Sequence, residues 1–237
     1  MEPLAATPRS AAERRFYGIA AAVVAIIAFA GFAQSYYLKS IFGAPELPRL
    51  VHLHGLVMTL WVALFITQTR LVAARRVDLH RRLGIAGAVL AALVVAVGIA
   101  TAIEGARRGV SPGPPPLVFL AIPIGVALLF GAFLGAALLM RRRSDWHKRL
   151  MLLGTLAILT PAIARIPVDV VHQGGILVFL GLTDLLALLC VGWDTVRNRR
   201  LHPAFGWGML FLVLFQAAIL ATAGSGAWMA IAQRLVA

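Results

Sequence analysis

The sequence predicts an all-α fold, a polytopic membrane bundle of seven transmembrane helices with a cytoplasmic N-terminus. Hydrophobic residues make up 61% of the chain and charged residues only 13%, and the mean hydropathy is +0.90, which is typical of a multi-pass membrane protein. The chain offers several separate apolar stretches of about 20 residues, the length that spans about 30 Å of hydrocarbon. The basic residues fall in short clusters between these stretches, as the positive-inside rule expects.

The predicted elements follow from the apolar stretches in order. Backbone groups within hydrocarbon need partners in their own segment, so each stretch is expected to be a helix. The predicted spans lie near 16–38, 50–72, 83–104, 116–140, 148–167, 175–194 and 205–232. Residues 1–15 are predicted to be a cytoplasmic tail and residues 16–233 a single transmembrane bundle.

The connectors and a few unusual residues refine this prediction. Alternate connectors carry arginine clusters, such as those at 75–82 and 141–149, and these are assigned to the cytoplasmic side. Glycines in the third and fourth spans predict close helix seams. Pro161 removes a backbone hydrogen bond and predicts a kink near Ile158 in the fifth span. Because Pro161 and Pro167 interrupt this span, a six-helix alternative stays open.

The same composition excludes several classes of protein. The net charge of +13 would suggest nucleic acid in a soluble chain, but here the charge follows membrane topology, so we exclude a nucleic-acid partner. The single cysteine, Cys190, excludes an intramolecular disulfide and a multi-cysteine metal site. The last span lacks the lysine that a retinal protein needs, and no nucleotide-binding glycine loop or HExxH motif is present.

The predicted orientation sorts the six histidines into two sets of three. His52, His54 and His172 fall at the outer face, and His80, His147 and His202 fall at the inner face. Imidazole can hold haem iron or a transition metal, so His54 with His172, and His80 with His147, are candidate cofactor ligands. His52, His54 and His172 form an alternative metal-binding set. Headgroup anchoring explains the same histidines without a cofactor.

Polar residues within the spans are the other candidates. His54, Trp61 and Gln68 share one stripe of the second span, which is expected to face the bundle interior. Asp184 lies near mid-membrane, where an acid is costly, and Gln216 at similar depth is its expected partner. The Asp184 carboxyl is either a proton-relay group or a buried acid bonded to Gln216.

The outer end of the fifth span carries one more charge. Arg165 is expected either to join His54 and His172 in a polar pocket at the outer mouth or to form a local ion pair with Asp169.

The motifs also support two resemblances. The first is a resemblance to an uncharacterised family of bacterial multi-pass membrane proteins, over the second to fifth spans. It rests on His54-Gly55, Gln68, "LHRRLG" at 79–84, "WHKRLM" at 146–151 and Arg165 fourteen residues further on. The placement of His80 and His147 at two helix starts is similar to one helix pairing of the di-haem cytochromes b. That similarity implies haem b between two histidines of different helices. Unlike that family, the fourth span here contains no histidine.

Three functions are compatible with these residues, and whether the protein is an enzyme stays open. The first is a non-enzymatic integral subunit, scaffold or assembly factor, which is the expectation the sequence favours by a small margin. The second is a redox protein that binds haem or a transition metal through histidines at the two membrane faces. The third is a proton-coupled carrier that uses Asp184. In each case we expect a multi-pass protein of a bacterial inner membrane, in contact with lipid and with a homo-oligomer or a larger membrane complex as its assembly.

Overall fold

A computed structural model describes residues 8–237, with side chains from residue 11 onward except that of His172. It confirms the all-α helical bundle, because every regular element in this range is a helix. The helices are α1 (Pro8–Phe32, continued by a π-helical turn, Ala33–Tyr37), α2 (Arg49–Ala73), α3 (Val77–Arg107), α4 (Pro116–Phe119), α5 (Ala121–Leu139), α6 (Ser144–Ala157), α7 (Thr160–Ile163), α8 (Asp169–Asn198), α9 (Pro203–Thr222) and α10 (Gly226–Val236).

Six helical segments of the described chain are long and apolar enough to cross a membrane. They are Ala11–Tyr37, Arg49–Ala73, Val77–Arg107, Pro116–Leu139, Gln173–Asn198 and Pro203–Thr222. Each has at least 20 residues, so at 1.5 Å per residue each reaches about 30 Å. The protein is therefore a multi-pass membrane protein. Helix α1 begins at Pro8, within the predicted tail 1–15, and residues 1–7 lie outside the described residues.

The predicted fifth span is helical but broken, at the place where the proline predicts a kink. Helix α6 ends at Ala157, and α7 begins at Thr160 with Pro161 in its first turn. The Thr160 hydroxyl lies 2.8 Å from the Ala157 carbonyl oxygen and 3.1 Å from the Thr183 hydroxyl, so hydrogen bonds bridge the break. Together α6 and α7 run the length of the bundle, although neither is long enough to span a membrane alone.

The seventh predicted span, 205–232, is too long. Helix α9 ends at Thr222, and a separate α10 starts at Gly226, where the Ser225 hydroxyl accepts a hydrogen bond from the Trp228 backbone N–H at 3.2 Å. The Trp228 indole donates to the Leu117 carbonyl at 2.8 Å, which holds α10 beside the start of α4. The apolar composition continues through this turn, so hydropathy alone does not mark it.

Helix α6 lies in the centre of the bundle and packs against α5, α8 and α9. Its Leu152 and Leu153 are fully buried, and Leu156 is 1% exposed. Two glycines of the predicted seams lie where neighbouring side chains approach closely. A Cβ on Gly87 would lie 3.1 Å from Leu64, and one on Gly131 would lie 3.3 Å from Val95. Because α6 packs against α5, α8 and α9, its first turn is held against several helices at one end of the bundle.

Candidate functional site

One end of the bundle carries exposed arginines at the α2–α3 and α5–α6 connections, and we call it the basic end. These arginines are Arg75, Arg76, Arg81, Arg82, Arg141, Arg142 and Arg143. At the basic end His80, in the first turn of α3, meets His147, in the first turn of α6. Their ring centres are 6.2 Å apart, and the ring planes are nearly perpendicular at 78°. Both side chains are partly exposed.

Hydrogen bonds hold both imidazoles in one tautomer. The Gln68 amide donates from Nε2 to the His80 carbonyl at 3.2 Å, so its Oε1 accepts from His80 Nδ1 at 2.7 Å. The Nδ1 of His147 lies 2.9 Å from the Ala137 carbonyl oxygen, which only accepts. In the neutral form of each ring, Nδ1 is therefore the protonated nitrogen and Nε2 carries the lone pair. Within the described chain neither Nε2 takes part in a hydrogen bond.

The separation of the two rings suits a shared metal. An imidazole nitrogen binds a metal at about 2.0–2.1 Å and lies roughly 1.1 Å from its ring centre, so two imidazoles on opposite sides of one ion have ring centres about 6.3 Å apart. The observed separation of 6.2 Å is close to this value. A ligating histidine also characteristically donates its other N–H to a carbonyl or carboxylate oxygen, as Nδ1 does in both rings here.

The pair supplies two ligands and no more. Among the described residues no group of three or more His, Cys, Asp or Glu side chains could hold a metal ion. A structural zinc ion requires four ligands from the protein, whereas haem iron takes four from the porphyrin and only its axial ligands from the chain. Of the cofactors expected from the sequence, haem is the one whose requirement two histidines meet.

At the opposite end of the bundle, the two histidines of the "VHLHG" stretch have different environments. His52 is exposed, and its ring centre lies 5.9 Å from that of Tyr36. His54 is half-buried, and its Nδ1 is buried without a protein hydrogen-bonding partner, as is Nε1 of Trp61 two turns further along the same stripe. The predicted partner of His54 is His172, whose side chain lies outside the described residues, so that pairing stays a prediction.

The π-helical turn at 33–37 is packed directly on the start of α2. The Tyr36 hydroxyl donates to the His52 carbonyl at 3.2 Å, and the Tyr37 hydroxyl lies 2.8 Å from that of Thr59. A Cβ on Gly55 would overlap the Tyr36 ring, which gives a packing reason for glycine after His54. Residue composition does not predict this turn, because a π-helical turn and an α-helix share the same apolar composition.

Arg165 lies near the same end, where its guanidinium stacks over the Phe32 ring at 5.0 Å and donates to the Pro161 carbonyl at 2.9 Å. The expected alternative, an ion pair with Asp169, is not among the ion pairs of the described side chains. Arg165 therefore stabilises the contact between α1 and the end of α7.

Asp184 and Gln216 are hydrogen-bonded across the α8–α9 interface. The Gln216 amide donates to Asp184 Oδ1 at 3.0 Å, and Gln216 itself is buried. A mid-membrane polar group bonded to its neighbour stabilises helix association modestly, by about 0.6 kcal/mol on average. This contact favours the structural role for Asp184, and the proton-relay role stays a prediction.

Replacing Asp184 by asparagine is expected to change the free energy of unfolding by less than about 1 kcal/mol, because asparagine retains an acceptor oxygen for Gln216. Asp184→Leu leaves the Gln216 amide without its partner and is expected to cost about 1–2 kcal/mol. Unfolding in detergent by SDS titration measures both variants. Proton flux in liposomes that is present for the unaltered protein and abolished by Asp184→Asn would contradict the structural role.

The structure also contains a buried ion pair that the sequence does not predict. Arg149 on α6 and Asp194 on α8 are 4% and 1% exposed, and the guanidinium binds both carboxylate oxygens with contacts of 2.7 to 3.1 Å. A third guanidinium nitrogen donates to the Asp145 carbonyl at 2.9 Å. Asp194 follows an apolar run and precedes "TVRNRR", and this position next to a basic cluster resembles that of an ordinary helix-end charge.

Neither a protein-family model, nor a curated protein, nor a solved structure matches this sequence. The functional interpretation of the site therefore depends on the residues themselves and their geometry.

Proposed function

We propose that this protein is an integral redox protein of a bacterial inner membrane that holds haem b between Nε2 of His80 and Nε2 of His147, with the basic end facing the cytoplasm. The observation that carries the proposal is the pair of neighbouring imidazoles, with ring centres 6.2 Å apart, each with its Nδ1 bonded to Gln68 or to the Ala137 carbonyl. Haem iron at this position supplies one-electron chemistry, and its potential depends on the ligands and their hydrogen bonds.

The residues around the pair have roles that suit this function. Gln68 and the Ala137 carbonyl orient the rings and raise their basicity by accepting the Nδ1 protons. The exposed arginines Arg81 and Arg82, next to His80 in sequence, provide cations for carboxylate groups such as haem propionates.

The first test is the visible spectrum and metal content of the protein purified in detergent from cells supplied with iron and a haem precursor. A reducible Soret band with about one haem per chain is the expected result. We expect His80→Ala and His147→Ala to abolish the band, and His52→Ala, an exposed histidine at the opposite end, to retain it. A colourless, metal-free protein that also fails to bind added haem would overturn the proposal and return the non-enzymatic subunit as the best interpretation.

A second variant separates ligation from folding. Gln68→Leu leaves both ligands in place but removes the acceptor for His80 Nδ1–H, and loss of such a partner characteristically costs 10–100-fold in affinity. We therefore expect a band that remains but titrates at about ten-fold or more higher haem concentration, with an altered reduction potential. An unchanged affinity and potential in Gln68→Leu would contradict the proposed orienting role.

A further inference from the structure

A polar cavity of about 400 Å³ opens at the basic end between α1, α6, α8 and α9. It uses a different face of α6 from the histidine pair: Asp145 and Arg149 face the cavity, whereas His147 bonds to Ala137 of α5. Its volume falls within the range of small-molecule sites, about 300–1,000 Å³. This cavity does not depend on the proposed haem site.

Two of the cations that line the cavity are already neutralised. Arg149 is held by Asp194 at 2.7 Å, and Lys148 forms an ion pair with Glu13 of α1. Neither cation is therefore available as a free positive charge for a ligand. The recognition chemistry of the cavity must come from its other lining residues.

The remaining donors are Arg200 and His202. The Arg200 guanidinium makes no hydrogen bond or ion pair with the described side chains. Burial, and then the nearby Arg149 guanidinium, lower the pKa of His202 below its usual range, which favours the neutral ring. Its Nδ1 accepts from the Ala204 backbone N–H at 3.1 Å, which leaves Nε2–H as a donor. An arginine beside an N–H donor suits a phosphate oxygen.

The remaining acceptors are Asp145 and Asn198. The Asp145 carboxylate accepts a weak hydrogen bond from Ser144 at 3.3 Å and one from its own backbone N–H, and Lys148 and His202 lie near it. Asn198 donates from Nδ2 to the Asp194 carbonyl at 2.9 Å, and its Oδ1 is left as an acceptor. A carboxylate beside an amide oxygen suits an ammonium group with N–H donors.

We propose that this cavity binds the headgroup of phosphatidylethanolamine, with the phosphate at Arg200 and His202 and the primary ammonium at Asp145 and Asn198. The cavity opens at the ends of membrane-spanning helices, which is the level of lipid headgroups. A primary ammonium carries three N–H donors, whereas the trimethylammonium of phosphatidylcholine carries none, so the cavity discriminates between these two lipids.

Native mass spectrometry of the whole detergent-purified protein tests the proposal with phosphatidylethanolamine, phosphatidylcholine and phosphatidylglycerol. We expect phosphatidylethanolamine to bind about tenfold more tightly than either other lipid, as loss of one charge-assisted hydrogen bond predicts. Equal affinity for all three lipids would overturn the proposal. A preference for phosphatidylglycerol would also overturn it, because that result indicates a site for anions alone.

Variants assign the two halves of the headgroup. Arg200→Gln and Asp145→Asn are each expected to weaken phosphatidylethanolamine binding about tenfold, while Arg199→Gln, the neighbouring arginine outside the cavity, is expected to leave it unchanged. Unchanged binding in Arg200→Gln, with a normal unfolding midpoint, would contradict the proposed phosphate contact.

Free glycerophosphoethanolamine that binds as tightly as the lipid would contradict a lipid source. The haem spectrum is expected to be unaffected in all three variants, so this proposal and the haem proposal fail separately.

Discussion

Replacing Arg149 by methionine is expected to destabilise the bundle by about 3–5 kcal/mol, because the substitution leaves the Asp194 carboxylate buried and unpaired. Asp194 is 1% exposed, and the hydrogen bonds of its carboxylate come from the Arg149 guanidinium. Asp194→Leu is expected to have a similar cost, since the guanidinium is then the isolated buried charge. Unfolding by SDS titration in detergent, with helicity as the signal, measures the effect.

The double variant Arg149→Met/Asp194→Leu tests whether the loss of stability comes from an unpaired buried charge. Replacing both members of a buried ion pair with apolar side chains removes both desolvation costs, so the double variant is expected to recover most of the stability that each single variant loses. The matched control is Lys148→Met, next to Arg149 in sequence. Lys148 pairs with Glu13 at a site where their side chains are 29% and 38% exposed, and such pairs contribute about 0–1 kcal/mol. A loss of stability below about 1 kcal/mol in Arg149→Met would contradict the expected cost of leaving the Asp194 carboxylate buried and unpaired.

Gly31→Ala is expected to give the second-largest effect, a loss of about 1–3 kcal/mol or more. A Cβ at this position of α1 would overlap the Ala162 carbonyl oxygen and lie 2.6 Å from its carbonyl carbon. The obstacle is backbone, which cannot rotate away as a side chain can. The substitution therefore forces α1 and α7 apart, and the stacking of Arg165 on Phe32 beside it is expected to weaken as well.

Gly18→Ala is the control, because it makes the same chemical change in the same helix. A Cβ at Gly18 meets no atom within 4 Å. Alanine is the better helix former by about 1 kcal/mol, so this variant is expected to be neutral or slightly more stable. Equal unfolding midpoints for the two variants would show that the α1–α7 contact is looser than the structure indicates.

The helical bundle is predictable because crossing a bilayer is a local requirement. About 20 apolar residues suffice to place a span, and no knowledge of the neighbouring helices is needed. Pro161 acts equally locally, so the break after Ala157 follows from sequence. The end of α9 lies just before Gly224, Ser225 and Gly226, a short turn signal that hydropathy does not mark because apolar runs continue on both sides of it. That helix end depends on the Ser225 cap and on Trp228, whose indole bonds to Leu117, 111 residues away.

The sequence by itself therefore determined the class of protein, most of its membrane spans and the grouping of its histidines at two ends, because each depends on residue type and depth in the membrane. Depth in the membrane also predicted that Asp184 meets Gln216, but only the tertiary structure decided the buried Arg149–Asp194 pair and the contact of Gln68 with His80. Arg149 and Asp194 are 45 residues apart in sequence, and Gln68 and His147 approach His80 from different helices. The contacts of Arg149 and His147 follow from how α6 packs in the centre of the bundle, and that of Gln68 follows from how α2 packs on α3. Side-chain contacts between helices leave no periodic trace in a single sequence.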